Sequence, residues 1–155
     1  MTELTPVMTG GCQCGAVRYA LSETPRTDFC HCGMCRKATG GVFAALTAVP
    51  HASFRWTAGQ PNFFASSTAA TRGFCAACGT PLSFAYNDGR RINVTVGSLD
   101  NPELAGPNRG HFAAESRLSW VPVCDGAPEQ RLDSYAASPV HQPGYRALQS
   151  SGGER

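Results

Sequence analysis

The sequence carries little charge, and lysine is almost absent from it. Charged residues make up 15% of the 155 residues, the formal net charge is +2, and Lys37 is the single lysine. The basic residues are scattered rather than grouped in one stretch. Nucleic acids and anionic membrane surfaces are bound through clustered positive charge, so the sequence predicts neither as a partner. This charge balance still suits a small anionic ligand.

Long apolar runs are also missing. The longest apolar stretch, residues 42–49, is interrupted by Thr47 and is far shorter than the roughly 20 residues that a membrane-spanning helix needs. Residues 1–10 have neither the basic start nor the apolar centre of a secretory signal. We therefore expect a cytoplasmic protein whose thiols stay reduced.

Size and composition predict the domain organisation. A chain of 155 residues suits one domain, and 42% hydrophobic residues are enough for a core. The 17 glycines and 11 prolines indicate many turns and short strands. We predict a single metal-binding β domain over residues 1–136. Residues 137–155, rich in Ser, Gly, Pro and Gln, are predicted to form a flexible C-terminal tail.

The hydrophobic pattern predicts short strands and little helix. Residues 16–21 alternate between apolar and other side chains, as a half-buried strand does. Asn87-Asp88-Gly89-Arg90 separates two apolar segments and predicts a hairpin turn. Further strands are predicted at 42–49, 53–57, 63–66, 71–74, 82–86, 92–96 and 117–121, with a short helix at 33–39. The predicted fold class is mainly β, with short antiparallel sheets pinned by metal-binding loops.

Seven of the eight cysteines lie in three short groups, close enough for neighbouring thiolates to converge on one ion. The groups are Cys12 and Cys14, then Cys30, Cys32 and Cys35, then Cys75 and Cys78. The first and last groups can each supply half of a closed four-thiolate site of the structural type, with zinc as the preferred ion. Disulfides and iron are the alternatives. A C-x-C disulfide is strained, and only one of the two groups has the C-x-x-C-G form of a rubredoxin-like iron site.

The middle group holds three cysteines rather than four. Three thiolates on zinc leave one coordination position open for water or substrate, and the two basic residues that follow partly offset the thiolate charge. His31 lies between Cys30 and Cys32, but the alternation of an extended chain points it to the opposite face. The other possible fourth ligands are His51, His111 and Cys124, although Cys124 is more simply explained as a buried or incidental thiol.

Four motifs occur in an order that is typical of one known family. They are Gly10-Gly-Cys-Gln-Cys-Gly15, Cys30-His-Cys-Gly-Met-Cys-Arg-Lys37, Gly73-Phe-Cys-Ala-Ala-Cys-Gly79 and Val96-Gly-Ser-Leu-Asp100, with His111-Phe112 and Trp120 further on. In these motifs, over about residues 10–136, the chain resembles the glutathione-dependent formaldehyde-activating enzyme family, which also includes centromere protein V-like relatives.

The resemblance implies a β-tent fold with two zinc ions per chain. It implies a structural zinc held by Cys12, Cys14, Cys75 and Cys78, and a second zinc of the catalytic type held by Cys30, Cys32 and Cys35. The named activity of the family joins formaldehyde and glutathione into S-hydroxymethylglutathione, which is carbon–sulfur lyase chemistry. A small thiol such as glutathione is then the expected partner. Ser98, in the fourth motif, and His111 are candidate ligand-binding residues.

Two other functions fit the same residues. Asp100 and His111 are the candidate general bases, but neither stands beside the second cysteine group in the sequence. The chain could instead be a zinc-stabilised binding module without turnover, as the centromere protein V-like relatives suggest. A thiol-based metal or redox sensor is the third hypothesis.

Overall fold

The computed structural model of the protein describes residues 5–123, 125–134 and 141–146. Within these ranges the chain forms eleven β-strands, one α-helix and four short 3₁₀ turns. The elements are β1 (Met8–Gly11), β2 (Arg18–Leu21), β3 (Arg26–Cys30), α1 (Gly33–Thr39), β4 (Ala44–Pro50), β5 (Phe54–Ala58), β6 (Asn62–Ala65), β7 (Ala70–Phe74), β8 (Pro81–Tyr86), β9 (Arg91–Thr95), β10 (His111–Phe112) and β11 (Glu129–Gln130).

The strands form two open sheets. The small sheet has the order β1-β2-β5, and the large sheet has the order β11-β10-β3-β4-β9-β8-β7-β6. The prediction of a mainly β, β-tent-like fold with little helix is confirmed. The expectation of antiparallel pairing is wrong at one edge, because β10 pairs in parallel with both β3 and β11. These two-residue strands arrive from distant parts of the chain, so no local hairpin imposes an antiparallel direction.

The core lies between the two sheets. Tyr19 and Leu21 on β2 are fully buried, and so are Leu82 on β8 and Val94 on β9. The ring of Tyr19 contacts Trp56 edge-on, with 5.9 Å between the ring centroids. Apolar side chains of both sheets thus join in one hydrophobic cluster, and their removal from water holds the sheets together.

The predicted hairpin is present and one predicted strand is not. Strands β8 and β9 pair antiparallel, with Ala85 opposite Ile92, and Gly89 in the turn has a φ of +69°, which glycine adopts without strain. The strand predicted at 117–121 is wrong, because this segment forms a loop and turn and Trp120 is 70% exposed. An aromatic residue signals a strand only where a neighbouring surface covers it.

Part of the predicted tail contacts the domain. Within residues 141–146, the amide of Arg146 donates to the hydroxyl of Thr68 at 2.9 Å. The amide of Thr68 donates to the carbonyl of Arg146, also at 2.9 Å. The hydroxyl of Tyr145 reaches the sulfur of Met34 in α1 at 4.0 Å. The flexible tail predicted for residues 137–155 stays a prediction, and the residues of that range other than 141–146 lie outside the described ranges.

The close packing around Gly10, in the first motif, explains why the residue at this position has no side chain. A Cβ placed on Gly10 would lie 2.4 Å from the ring of Tyr19 and 2.6 Å from the carbonyl oxygen of Ser98. We expect Gly10→Ala to lower the free energy of unfolding by about 2 kcal/mol, because neither the buried ring nor the backbone can move away freely.

Urea unfolding measures this change, and Gly97→Ala is the matched control. A Cβ at Gly97 would meet no atom within 4 Å, so this variant should keep the stability of the wild type to within about 0.5 kcal/mol. Equal stabilities of the two variants would contradict the close packing of β1 on Tyr19.

Candidate metal centres

The first cysteine cluster joins the two sheets. Cys12 and Cys14 lie between β1 and β2 of the small sheet, whereas Cys75 and Cys78 lie between β7 and β8 of the large sheet. Their four sulfur atoms lie within 4.8 Å of one another. The structure therefore brings together the four residues that the spacing and the resemblance had paired, from chain segments about 60 residues apart.

The distances in this cluster suit one metal ion. The sulfurs of Cys12 and Cys14 are 3.5 Å apart, and those of Cys14 and Cys75 are 3.8 Å apart. Four sulfurs about 2.3 Å from a central ion, at the corners of a tetrahedron, are separated by about 3.8 Å. All seven described cysteines are free, so the disulfide alternative is wrong for them. A closed four-sulfur site of this kind could hold zinc and would serve a structural role.

Neighbouring groups stabilise thiolates at this cluster. The amide of Val17 donates to the sulfur of Cys12 at 3.2 Å. The hydroxyl of Thr80 lies 3.1 Å from the sulfur of Cys78. The hydrogen bond from that hydroxyl, assisted by backbone N–H groups, lowers the pKa of the Cys78 thiol to about 5. Thiolate is the form that binds metal, so these bonds prepare the cluster for an ion.

The second cluster is built where β3 meets α1. Cys30 is the last residue of β3, Cys32 caps the N-terminus of α1, and Cys35 lies in its first turn. The amide of Cys35 donates to the sulfur of Cys32 at 3.3 Å. The sulfurs of Cys30 and Cys32 are 3.6 Å apart, and all three sulfurs lie within 4.8 Å of one another. In the described part of the chain, no histidine nitrogen or carboxylate joins this group of three.

Arg72 supplies positive charge to the second cluster. It lies on β7, is 9% exposed, and its Nη2 donates to the sulfur of Cys35 at 3.4 Å. Hydrogen bonds from Cys30 and Cys32, together with the Arg72 guanidinium, hold the pKa of the Cys35 thiol well below its usual range. The hydrogen bond with Cys32 instead raises the pKa of Cys30. One thiolate is thus stabilised even before an ion binds, and an ion would draw the other two into the thiolate form.

A chain of hydrogen bonds runs from His31, within the second cluster's motif, through buried His111 to exposed Asp125. Nε2 of His31 lies 2.9 Å from Nδ1 of His111, and Nε2 of His111 lies 2.9 Å from a carboxylate oxygen of Asp125. In the tautomer in which His111 donates its Nε2 proton to the carboxylate, Nδ1 of His111 accepts the Nε2 proton of His31. This order leaves Nδ1 of His31 as an acceptor without a protein partner among the described residues. Burial lowers the pKa of His31, which agrees with a neutral ring.

This chain gives His111 a positioning role. The pKa of Asp125 is held well below its usual range, first by the hydrogen bond from His111 and then by that from Asn108. His111 is 1% exposed and stacks on His31, with 5.1 Å between ring centroids. It therefore orients the residue between two of the cluster cysteines, and its predicted contact with ligand stays a prediction.

We expect His111→Phe to lower the free energy of unfolding by about 2 kcal/mol. The phenyl ring keeps most of the volume but leaves the buried Nε2 proton of His31 without an acceptor. Urea unfolding of metal-loaded protein measures the change. The same substitution at exposed His51 is the control, for which we expect a change within about 0.5 kcal/mol. A similarly small effect at both positions would contradict the hydrogen-bond chain.

The remaining predicted residues lie elsewhere. Ser98 is buried, and its hydroxyl is 2.7 Å from that of Tyr19 and donates to the carbonyl of Thr95 at 2.8 Å. These bonds favour a structural role in the turn after β9, and a role in ligand binding stays a prediction. Asp100 is paired with Arg18, near the small sheet. Cys124 lies outside the described ranges.

Two functional neighbours were missed by the sequence reasoning. Arg72 stands in a predicted strand, and Asp125 stands in a segment for which no element was predicted. Nothing local marks Arg72 as a partner of Cys35, 37 positions away, or Asp125 as a partner of His111, 14 positions away. The described helix, of seven residues, is also far too short to cross a membrane.

These observations define a class of protein: a mainly β domain with one four-cysteine cluster and one three-cysteine cluster, each of which could hold a metal ion. Residues 7–115 match the family described as glutathione-dependent formaldehyde-activating enzyme. This match covers more than half of the sequence, so the chain belongs to the glutathione-dependent formaldehyde-activating enzyme family.

Individual relatives agree with this membership. The chain is 39% identical over 88 residues to an uncharacterized lyase of Schizosaccharomyces pombe, covering 55% of this chain and 62% of that protein. It is 26% identical over 127 residues to a putative glutathione-dependent formaldehyde-activating enzyme of Halomonas elongata, covering 76% of this chain and 81% of that protein. The matched region therefore spans about three fifths of the length of the yeast protein.

A solved structure has a similar fold. The crystal structure of a Rhodobacter sphaeroides protein superposes with a TM-score of 0.51 at 22% sequence identity, covering 79% of this chain and all of that one. At this identity the similarity concerns the fold alone, and it agrees with the two-sheet architecture described above.

Proposed function

We propose that the protein is a zinc-dependent carbon–sulfur lyase-type enzyme that acts on adducts of glutathione, or a similar thiol, with formaldehyde or another small aldehyde. One observation carries the proposal: this member of the family has both a closed four-sulfur cluster and a three-sulfur cluster. Zinc bound by four protein thiolates is structural, whereas three protein ligands leave a position for an exogenous ligand.

The donor sets fit two zinc ions per chain. The sulfur–sulfur distances of 3.5 to 3.8 Å in both clusters are those of thiolates around one tetrahedral ion. Cys12, Cys14, Cys75 and Cys78 would hold the first zinc, and Cys30, Cys32 and Cys35 the second. The second zinc would supply a site at which a thiol becomes a thiolate. All-sulfur donors suit a reducing compartment, which supports a cytoplasmic location.

The reaction needs no oxidant or reductant. The thiol sulfur adds to the carbonyl carbon, the electron pair of the carbon–oxygen double bond moves to oxygen, and the proton of the thiol ends on that oxygen. The role of Cys30, Cys32 and Cys35 is to hold the site, and Arg72 offsets their negative charge. His111 and Asp125 hold the ring of His31 in place, and His31 thereby fixes the backbone between Cys30 and Cys32.

Zinc content and exchange kinetics test this proposal together. We expect elemental analysis to give two zinc ions per chain in protein purified without chelator. In a mixture of glutathione and formaldehyde, two-dimensional exchange NMR should show interconversion of glutathione and S-hydroxymethylglutathione faster than in buffer, in proportion to protein concentration. The buffer rate must be subtracted, because the adduct also forms without an enzyme.

Two results would contradict the enzyme hypothesis. The first is an exchange rate equal to that of buffer at every protein concentration, which would favour the binding module without turnover. The second is undiminished exchange in protein that retains one zinc and has lost the other from the three-cysteine cluster. In that case the catalysis would not depend on the open site.

A further inference from the structure

A cavity of about 480 Å³ is lined by α1 and by the large sheet. Strand register builds the sheet side of its wall, because residues directly opposite each other on paired strands share a face. Phe64 on β6 lies opposite Arg72 on β7, which in turn lies opposite Phe84 on β8. Leu46 on β4 lies opposite Thr95 on β9. All five of these residues line the cavity, and so do residues of α1.

Three phenylalanines give this wall its aromatic character. Phe64, Phe74 and Phe84 all line the cavity, together with apolar Ala38 and Pro81. The volume lies in the range of about 300–1,000 Å³ that small-molecule sites occupy. Phe64 is 43% exposed, so a ring placed against it would remove apolar surface from water and gain the contacts that aromatic pairs make. The wall therefore favours a ligand with an aromatic ring.

The charged residues of the wall are already engaged. Nη2 of Arg72 donates to the sulfur of Cys35, and the guanidinium lies over the ring of Phe84, 4.8 Å from the centroid. Nε of Arg72 is buried, so a ligand does not reach it. Lys37 is exposed and has interactions of its own. The lining, all of it within the described ranges, contains neither Asp nor Glu. A charged ligand would thus lose hydration without gaining an ion pair, and the cavity favours an uncharged one.

Two of the three hydroxyl groups in the lining also have partners. Thr39 donates to the carbonyl of Cys35 at 2.9 Å, and Thr95 donates to the carbonyl of Pro81 at 2.7 Å. A hydroxyl that already donates keeps only its capacity to accept. The wall therefore holds a ligand mainly through apolar surface.

We propose that this cavity binds a small uncharged aromatic molecule, seated against its three phenylalanines. Arg72 and Leu46 separate the cavity from the three-cysteine cluster, because both line it and both also pack against Cys35. The cluster cysteines themselves do not line the cavity. Glutathione carries two carboxylates and an ammonium group, and so is not the ligand expected here. The inference concerns a binding site outside the proposed reaction and stands without it.

Two-dimensional amide NMR of the metal-loaded protein, titrated with benzyl alcohol, tests the inference. We expect saturable shifts of the amide signals of α1 and of β6 to β8. Benzoate and benzylammonium carry the same ring with a negative or a positive charge, and they are the matched probes. Each should bind more weakly by about tenfold or more, because its charge loses hydration and gains no partner in the wall.

Phe64→Ala and Phe63→Ala are a matched pair of variants that tests the location. Both residues are exposed on the edge strand β6, at 43% and 58%, but of the two only Phe64 lines the cavity, because successive side chains of a strand point to opposite faces. We expect Phe64→Ala to weaken binding of benzyl alcohol by about fivefold or more and Phe63→Ala to leave it unchanged. Unchanged zinc content shows that both variants have folded.

Filling the cavity is a second test of the location. Ala38→Phe places a ring in the cavity from α1 and should abolish measurable binding of benzyl alcohol. If that variant does not fold, the two variants on β6 decide. Equal binding of either charged probe, equal effects of Phe64→Ala and Phe63→Ala, or no saturable shifts in the wild type would overturn the inference. None of these results depends on turnover, so the proposed reaction can fail while the binding site stands, and the reverse.

Discussion

Cys35→Ser is expected to abolish the acceleration of glutathione–formaldehyde exchange, by about 10²-fold or more, while the fold is preserved. Cys35 supplies the sulfur that Arg72 contacts, and its loss leaves two thiolates in the open cluster. A serine hydroxyl is a poor ligand for zinc near neutral pH, and even residues that only support ligands are worth 10- to 100-fold in affinity or activity. We therefore expect the second zinc to be lost together with turnover.

The fold should survive because Cys35 lies outside the main core. It belongs to a small cluster with Ala44 and Leu46, partly lined by Cys30 and Cys32. Serine is of similar size, and the hydrogen bond from Thr39 to the Cys35 carbonyl involves only the backbone of residue 35. The midpoint of thermal unfolding should stay within a few degrees of the wild type.

Exchange NMR, elemental analysis and thermal unfolding are measured on the same preparation of this variant. Cys14→Ser is the matched control, since it removes one thiolate from the closed cluster and should lower stability rather than leave it unchanged. Full activity in a Cys35→Ser protein that holds one zinc would show that the open cluster is not the reaction site.

The parts of this structure that could be predicted from the sequence depend on the spacing of residues that are close together in the chain. A few neighbouring residues determine each of three features: the turn that holds Cys75 and Cys78, the helix Gly33–Thr39, and the hairpin around Gly89. Their geometry is fixed by backbone conformation, so the pattern alone is sufficient. The assignment of the two cysteine groups to one cluster came from the ligand count of zinc rather than from any strand pairing.

The supporting residues could not be predicted in the same way. Arg72 on β7 contacts Cys35 on α1, and Asp125 in the segment after β10 contacts His111. Both contacts depend on strand order. Strand order is a property of the whole fold, because pairing partners distant in sequence are chosen by burial of the shared core. The parallel edge formed by β10 was missed for the same reason.

The alternation rule was correct for His31 but incomplete. It placed His31 away from the cysteines on either side, and the structure agrees, since no nitrogen of His31 joins their group. What the rule could not supply is the partner on the opposite face. That partner is His111, brought there by the parallel pairing of β10 with β3. A residue that points away from a site can therefore still position it.

Cys75→Ser is expected to give the largest loss of stability of any single substitution considered, at about 4 kcal/mol or more. Cys75 is 1% exposed and belongs to the main hydrophobic cluster, and its sulfur is 3.8 Å from that of Cys14. The substitution therefore removes one of the four sulfurs that would hold an ion between the small sheet and the large one. It also leaves a serine hydroxyl in an apolar site.

The expected result is a much lower midpoint of urea unfolding and a protein that holds less than one zinc at the closed cluster. Metal removal from the wild type by a strong chelator should produce a similar loss, because the link between the β1–β2 and β7–β8 connections is then lost. Cys30→Ser, which removes a ligand from the open cluster, is the control and should cost much less stability. Similar losses for Cys75→Ser and Cys30→Ser would mean that both clusters support the fold, and the division into a structural and a reactive site would then be wrong.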